Sequence, residues 1–128
     1  MAKRKAKAAR TLLVIEDDSY ICKLLRVFLE HRGFEVEFAE SYAAGEAAID
    51  ATRPRVIILD IALPDGDGLD LLRHLREDLQ RTEPVIVITA FRREEKFIEA
   101  FERGATGFVT KPFDLEEFGN DIERVLTN

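Results

Sequence analysis

Five short segments with the composition of strands alternate along this chain with five amphipathic segments. The strand-like segments occupy residues 12–15, 34–38, 56–59, 84–88 and 108–109. The second of them alternates apolar residues with Glu, which predicts a strand near a sheet edge with one face in water. Alternating strands and helices predict a parallel sheet covered by helices on both faces, with right-handed crossovers. At 128 residues, the chain has the length of one such domain.

The amphipathic segments carry residues that favour helix starts. Asp18 or Ser19 is placed to cap the first helix, and Ser41 is placed to cap the second. Asp114 stands at the start of the last helix, which is predicted over Leu115–Leu126. These caps predict that each of the three helices begins within a few residues of a strand end.

Apolar residues at helical spacing predict which side of each helix faces the core. The residues predicted on these apolar sides are Ile21, Leu24, Leu25, Phe28 and Leu29 for the first helix, Leu69, Leu72, Leu75 and Leu79 for the third, Phe97, Ile98 and Phe101 for the fourth, and Leu115, Phe118, Ile122 and Val125 for the fifth. The fourth helix is predicted over residues 92–103. The opposite sides of the third and fourth helices are charged, as is typical of helices that cover a sheet.

The net charge of -6 is unevenly distributed. Residues 1–10 contain five basic side chains and no acidic one, which predicts a disordered tail, with a weak phosphate-binding arm as the alternative. The domain itself is predicted over residues 11–128, and its acidity argues against nucleic-acid binding. No apolar segment is long enough for a signal peptide or a membrane span, and the single Cys22 fits a reducing compartment, so a cytoplasmic protein is expected.

Polar side chains stand where four of the five predicted strands end. Glu16 and Asp17 follow the first strand, Asp60 the third, Thr89 the fourth and Lys111 the fifth. The carboxyl ends of parallel strands meet at one edge of the sheet, so these side chains are expected to converge. Capping explains one or two of the three acids that follow the first strand, but neighbouring carboxylates repel one another unless a cation or a basic side chain is close. This set of groups indicates a hard divalent cation, with Mg²⁺ as the first choice, beside a phosphate.

The segments VIEDD, DIALPDGDG, TA and KPF occur in this order, each at the end of a predicted strand. Together they resemble the receiver domains of the two-component response-regulator family over nearly the whole chain. The resemblance implies an α/β fold of flavodoxin-like, doubly wound type, with a five-stranded parallel sheet in the order 2-1-3-4-5 and five helices. It also implies a phosphoacceptor signalling domain that assists its own phosphorylation and dephosphorylation and is not a turnover enzyme.

The same resemblance implies a role for each acid. Asp60 is implied as the acceptor of a phosphoryl group from a kinase phosphohistidine. Asp17 is implied as a direct Mg²⁺ ligand and Glu16 as its water-mediated partner. The main-chain carbonyl of Ala62 completes the implied protein ligands of the metal.

Residues of the fourth and fifth strands are implied in binding the phosphoryl group and in switching. Thr89 resembles the hydroxyl that moves to bond the phosphoryl group, and Lys111 the ammonium that pairs with it. Ala90 leaves room beside the group, and Pro112 matches the family proline whose preceding peptide bond is usually cis. Phe108 matches the family's switch aromatic, with a static core aromatic as the alternative.

The resemblance implies a histidine kinase or a histidine phosphotransfer protein as the donor. The output surface is expected on the fourth helix, fifth strand and fifth helix, where a homodimer is one alternative. The output partner is unknown, or is an output domain absent from this chain. The last helix and the segment before it lack the Asp-Asp-Tyr and Ala-Arg-Ile segments that are familiar in the winged-helix transcription-factor branch. This argues against that branch without excluding it.

Two other function classes remain open. A pseudo-receiver would bind a partner without phosphorylation, and the complete set of acids, hydroxyl and ammonium counts against it. A phosphohydrolase with an aspartyl-phosphate would need a second acid two residues after the nucleophile, where Ala62 stands.

Overall fold

Five parallel strands form the central sheet of the structure, a computed structural model that describes residues 10–127. The strands are β1 (Thr11–Ile15), β2 (Glu35–Ala39), β3 (Val56–Asp60), β4 (Val85–Thr89) and β5 (Gly107–Thr110). Their order across the sheet is β2-β1-β3-β4-β5, which confirms the predicted order. The predicted tail lies outside the described residues except for Arg10, whose guanidinium bonds Glu123 at 3.0 Å.

Five helices follow the strands within the described part of the chain. They are α1 (Ser19–His31), α2 (Tyr42–Ala51), α3 (Gly68–Arg73), α4 (Glu94–Glu102) and α5 (Leu115–Leu126). Helix α3 continues as one π-helical turn over His74–Asp78. None of the helices between residues 10 and 127 is long and apolar enough to cross a membrane.

Side chains of the inner strands point alternately to the two faces of the sheet. In β1, Leu13 and Ile15 join the core beneath α2, α3 and α4, whereas Leu12 and Val14 join the core beneath α1 and α5. All residues of β3 and β4 are buried, as expected for parallel strands covered on both faces. The strand predicted near an edge is β2, which is an edge strand.

The predicted helix caps are present. Asp18, and not Ser19, caps α1 by accepting hydrogen bonds from the backbone N–H groups two and three residues later. Ser41 caps α2 and Asp114 caps α5 in the same manner. Capping therefore accounts for one of the three acids that follow β1 and leaves the other two for the edge of the sheet.

Helix α4 departs most from the prediction. Phe97, Ile98 and Phe101 were expected to face inward, but they are 47%, 49% and 41% exposed. Ala100 is the buried residue of this helix, and Phe97 packs instead on Phe108, with ring centroids 5.0 Å apart. The physical reason is the position of β5 at the edge of the sheet, since none of the strands between residues 10 and 127 lies beyond β5 to cover the outer side of the helix.

Two smaller departures concern α1 and α3. Leu24 is 40% exposed, because the apolar stripe of α1 is wider than the surface that the sheet covers. In the third predicted helix, which comprises α3 and the π-helical turn, Leu72 and Leu75 are buried as predicted, but Leu79 at its end is only half-buried. The N–H of Leu79 donates to the carbonyl of His74, five residues back, and this wider turn rotates Leu79 away from the stripe.

Candidate metal and phosphoryl site

Three carboxylates meet at the carboxyl edge of the sheet. Glu16 and Asp17 follow β1, and Asp60 ends the neighbouring strand β3. One oxygen from each of the three lies within 4.8 Å of the other two. The parallel pairing of β1 and β3 produces this convergence, because both strands end at the same level of the sheet.

Lys111 lies between two of these acids. Its Nζ donates to Oδ2 of Asp60 at 2.8 Å and lies 2.6 Å from Oε1 of Glu16. Burial alone would lower the pKa of this ammonium, but the contacts with Asp60 and Glu16 and their negative charges outweigh burial and raise the pKa above its ordinary value. The lysine therefore carries its charge into a nearly buried position, with 16% of its side chain exposed.

Glu16 is completely buried, and only one of its oxygens accepts a hydrogen bond. Oε2 accepts from the N–H of Asp18 at 3.0 Å, whereas Oε1 contacts the Lys111 ammonium without hydrogen-bond geometry. Burial raises the pKa of Glu16 to about 7, although Lys111 and the Asp18 amide oppose the shift. A divalent cation at this position would further stabilise the ionised form, in addition to the Lys111 ammonium that already contacts Oε1.

The donor set fits a hard divalent cation. Carboxylate oxygens are the ligands that Mg²⁺ prefers, and three carboxylates converge here, with Oε1 of Glu16 buried and contacted by the Lys111 ammonium without a hydrogen bond. Asp17 is exposed, so the cluster is open to solvent on one side. The N–H of Ala62 donates to Oδ1 of Asp60 at 2.9 Å, which places the main chain of Ala62 next to the acids.

Thr89 ends β4 and is completely buried. Ile88, the residue before Thr89, pairs with Asp60 across the sheet. Thr89 therefore lies one residue beyond the level of Asp60, at the carboxyl edge of the sheet. The hydroxyl oxygen accepts a hydrogen bond from the N–H of Phe91 at 3.2 Å, which leaves its hydrogen to donate elsewhere. Thr89 can therefore serve as a donor toward a group bound on the acids.

The remaining predicted residues lie around this cluster. Ala90, Lys111 and Pro112 line a largely apolar groove of about 540 Å³ that opens beside the acids. The peptide bond between Lys111 and Pro112 is cis, as the resemblance implies. Phe108 is half-buried in β5 and packs against the ring of Phe97.

Two features near the site have no local signal in the sequence. The carboxylate of Asp65 accepts hydrogen bonds from backbone N–H groups of α2, more than 20 residues earlier in the chain. Tyr20 is 68% exposed and lines the groove beside Lys111. Both placements arise from the packing of a helix against a loop that is distant in the sequence. Neither an acid in a loop nor an aromatic residue at a helix start indicates such packing.

Comparison with known sequences identifies relatives over almost the whole chain. The profile described as response regulator receiver domain matches residues 12–123. The phosphate regulon transcriptional regulatory protein PhoB of Escherichia coli is 36% identical over 119 residues, which cover 92% of this chain and 52% of PhoB. The transcriptional regulatory protein KdpE of Mycobacterium tuberculosis is 41% identical over 107 residues, which cover 84% of this chain and 46% of KdpE. The chain spans about half the length of these curated relatives.

Solved structures share the fold over a similar extent. A CheY-like receiver domain protein from Methanospirillum hungatei matches with a TM-score of 0.88 at 27% identity, covering 92% of this chain and 94% of that chain. A two-component response regulator from Clostridium difficile matches with a TM-score of 0.88 at 26% identity, covering 92% of this chain and 96% of that chain. Sequence and fold agree, and the chain belongs to the receiver domain family of two-component response regulators.

Proposed function

We propose that this receiver domain accepts a phosphoryl group on Asp60 in a Mg²⁺-dependent reaction. The donor is the phosphohistidine of a histidine kinase or of a histidine phosphotransfer protein. The observation that carries the proposal is the position of Lys111, whose ammonium contacts both Asp60 and Glu16 at the edge of the sheet. A buried acceptor carboxylate with an ammonium on one oxygen and a carboxylate cluster beside it is suited to phosphoryl transfer.

The protein groups orient the acceptor for attack. The Ala62 N–H holds Oδ1 of Asp60 and the Lys111 ammonium holds Oδ2, so the carboxylate has a fixed orientation. During transfer, a phosphorus–oxygen bond to Asp60 forms as the phosphorus–nitrogen bond of the donor breaks, and the leaving imidazole keeps the electron pair. Bound Mg²⁺, held by the three carboxylates and the Ala62 carbonyl, would supply the charge that neutralises the phosphoryl oxygens. The domain takes part in signalling and is not proposed to turn over a substrate.

The switch begins with the charge of the phosphoryl group, which is roughly -1.5 to -2. The Thr89 hydroxyl can donate to it and the Lys111 ammonium can pair with it, and each hydrogen bond to a charged group contributes about 1.5–3 kcal/mol. A swing from 1:99 to 99:1 needs about 5.5 kcal/mol, so two such bonds shift the equilibrium strongly. Movement of Thr89 would alter the space beside β5, where Phe108 contacts Phe97 of α4.

The donor is proposed to approach over the start of α1. Tyr20 and Leu24 are 68% and 40% exposed, and both line the apolar groove that reaches Lys111. Val27, one turn further along α1, is 72% exposed. A protein that carries a phosphohistidine into this opening has to contact its rim, and apolar side chains there favour a protein donor over a small phosphate alone.

The output is proposed to leave from the surface of α4, β5 and α5. Phe97, Ile98 and Phe101 form an exposed apolar face on α4 that suits a second copy of the chain, with an output domain outside this chain as the alternative. The relatives are named transcriptional regulatory proteins and are about twice as long as this chain. This favours an output domain that regulates transcription. The receiver body is not proposed to bind nucleic acid, and the proposed location is the cytoplasm.

Intact-mass analysis with a small phosphodonor tests the proposal. Acetyl phosphate with Mg²⁺ should add one phosphoryl group to the wild-type chain, whereas EDTA or Asp60→Asn should abolish the gain. Asp50→Asn, which removes an exposed acid on α2, is the matched control and should be phosphorylated like the wild type. A wild-type chain that gains no phosphoryl group would support the pseudo-receiver instead, and a gain in Asp60→Asn would place the acceptor elsewhere.

A further inference from the structure

The connection after Asp60 is folded into a small hairpin. Ala62 pairs with Asp67 and Leu63 with Gly66, in two antiparallel strands of two residues each. The hairpin was not predicted, and strands this short have little stability of their own. Other contacts must therefore keep the connection in place.

Asp65 provides such a contact from the exposed tip of the hairpin. Its Oδ1 accepts from the N–H of Tyr42 at 2.7 Å and its Oδ2 from the N–H of Ala43 at 3.1 Å. These N–H groups belong to the first turn of α2 and have no partner within the helix. The two hydrogen bonds lower the pKa of Asp65 below its ordinary value, so the carboxylate is ionised at neutral pH.

Ser41 already caps α2 in the ordinary local manner. Its hydroxyl oxygen accepts from the N–H of Ala44 at 3.0 Å. The bonds of Asp65 are different in kind, because they join α2 to a connection that is 22 and 23 residues away along the chain. The same helix start therefore carries one cap that is purely local and one that ties it to the acceptor loop.

Two glycines show how closely this loop is held at both ends. A Cβ on Gly66, beside Asp65, would lie 2.7 Å from the ring of Tyr42. A Cβ on Gly68, at the base of the hairpin, would lie 2.6 Å from the carbonyl oxygen of Asp60. The loop is thus fastened to α2 at its tip and lies against the acceptor backbone at its base.

We propose that Asp65 is a positioning residue, whose attachment to α2 fixes the main chain of Ala62 beside Asp60. Ala62 lies between the two ends, and its N–H orients the acceptor carboxylate. The inference rests on the proposed function for its consequence at the metal, since the carbonyl of Ala62 is a proposed Mg²⁺ ligand. The position of the Ala62 N–H follows from Asp65 whether or not a metal is bound.

The test compares Asp65→Ala with Ser41→Ala, two variants that each remove one cap of α2. Both should lower the free energy of unfolding. Only Asp65→Ala should weaken Mg²⁺ binding in isothermal titration calorimetry, by about 10-fold, the lower end of the range for partners of metal ligands. Only Asp65→Ala should speed amide hydrogen exchange of Ala62 in the metal-free protein. Asp65→Asn, which keeps one acceptor oxygen, should restore part of both properties.

The outcomes separate the inference from the proposed function. Equal effects of Asp65→Ala and Ser41→Ala on Mg²⁺ affinity and on Ala62 exchange would overturn the positioning role and leave a helix cap only. If the wild-type chain binds no Mg²⁺, the metal-dependent function fails, and the Ala62 exchange still decides the role of Asp65. Unchanged Ala62 exchange in Asp65→Ala would overturn the inference in either case.

Discussion

The two connections that leave the sheet beside β3 and β4 are held in different ways. The connection before α3, residues 61–67, closes into a hairpin, bonds α2 through Asp65 and lies against the acceptor backbone at Gly68. The connection before α4, residues 90–93, has one backbone donor bonded to the Thr89 hydroxyl, and its last residue, Arg93, occupies the N-cap position of α4 without a side-chain capping bond. Main-chain contacts therefore fix the first connection, whereas the second depends on few contacts.

Helix α4 continues the contrast. Its three large apolar side chains are between 41% and 49% exposed, whereas Leu69, Leu71 and Leu72 of α3 are buried. Segments with few buried contacts open at low free energy, and elements that move in switching belong to this group. The chain thus holds the side of the sheet around Asp60 and α3 firmly and leaves the side around α4 loosely attached.

Removal of Lys111 should have the largest effect, because this residue joins the two sides. Its Nζ donates to Asp60, and its main-chain carbonyl accepts from the side chain of Arg92. Lys111→Met leaves two buried carboxyls without their ammonium, which should lower the free energy of unfolding by about 3–5 kcal/mol in EDTA. Urea unfolding on either side of pH 7 measures this loss.

The loss in Lys111→Met should grow as the pH rises. Burial already raises the pKa of Glu16 to about 7 in the wild type, and loss of the ammonium raises it further. The folded protein keeps this proton to a higher pH than the unfolded chain does, so stability falls as the pH rises through the folded pKa. Mg²⁺ should restore most of the stability, because its charge replaces the ammonium.

Lys96→Met is the matched control for Lys111→Met. Lys96 pairs with Asp67 at 3.9 Å and with Glu99 at 3.8 Å, and its side chain is 35% exposed. Exposed pairs of this kind contribute about 0–1 kcal/mol, so little change is expected. Equal losses in the two lysine variants would contradict the view that buried charge at the acceptor dominates.

Much of the fold was predictable from local patterns, and so was the convergence of the site residues. The inner strands are short aliphatic and β-branched segments that can be recognised locally. Because the carboxyl ends of parallel strands meet at one edge of the sheet, Glu16, Asp60 and Lys111 could be placed together from the sequence. The exposure of Phe97 could not be predicted, because helical spacing identifies the apolar side of a helix but not how much of that side the sheet covers. The hydrogen bonds of Asp65 to α2 could not be predicted either, since no local pattern specifies a contact between a loop and a distant helix.

Gly68→Ala should have the next largest effect and tests how tightly the acceptor connection is packed. The new Cβ would lie 2.6 Å from the carbonyl oxygen of Asp60 and 2.7 Å from Cα of Ile61, and both are backbone atoms that cannot turn aside. We expect the free energy of unfolding, measured with urea, to fall by about 1–3 kcal/mol. Gly66→Ala is the control, because its Cβ meets the side chain of Tyr42, which can shift. A larger loss in Gly66→Ala would show that the tip, and not the base, is the tighter contact.

Arg93→Asp should act in the opposite direction and stabilise the loosely attached side. Arg93 occupies the N-cap position of α4 with extended backbone angles and makes no capping bond, and an Asp there can accept from the first turn. We expect a gain of about 1 kcal/mol in the free energy of unfolding and slower amide exchange in α4. Arg93→Glu makes the same charge change at the same position with a longer side chain that is not among the preferred N-cap residues. A similar gain in Arg93→Glu would attribute the effect to charge and not to capping.

Phe101→Ser should change stability least and assembly most. The ring of Phe101 is 41% exposed and lies 5.0 Å from the ring of Phe97, and such an aromatic pair contributes about 0.5–1.5 kcal/mol, with the exposed position favouring the low end. Because this side chain belongs to the proposed dimer face, the phosphorylated wild type should sediment as a dimer and the phosphorylated variant as a monomer. Val27→Ser, on α1, removes a side chain that is 72% exposed on the opposite face and should leave the dimer intact. A phosphorylated wild type that stays monomeric would refute the homodimer. A dimer that is lost in Val27→Ser but kept in Phe101→Ser would assign the assembly surface to α1 and not to the loosely attached α4.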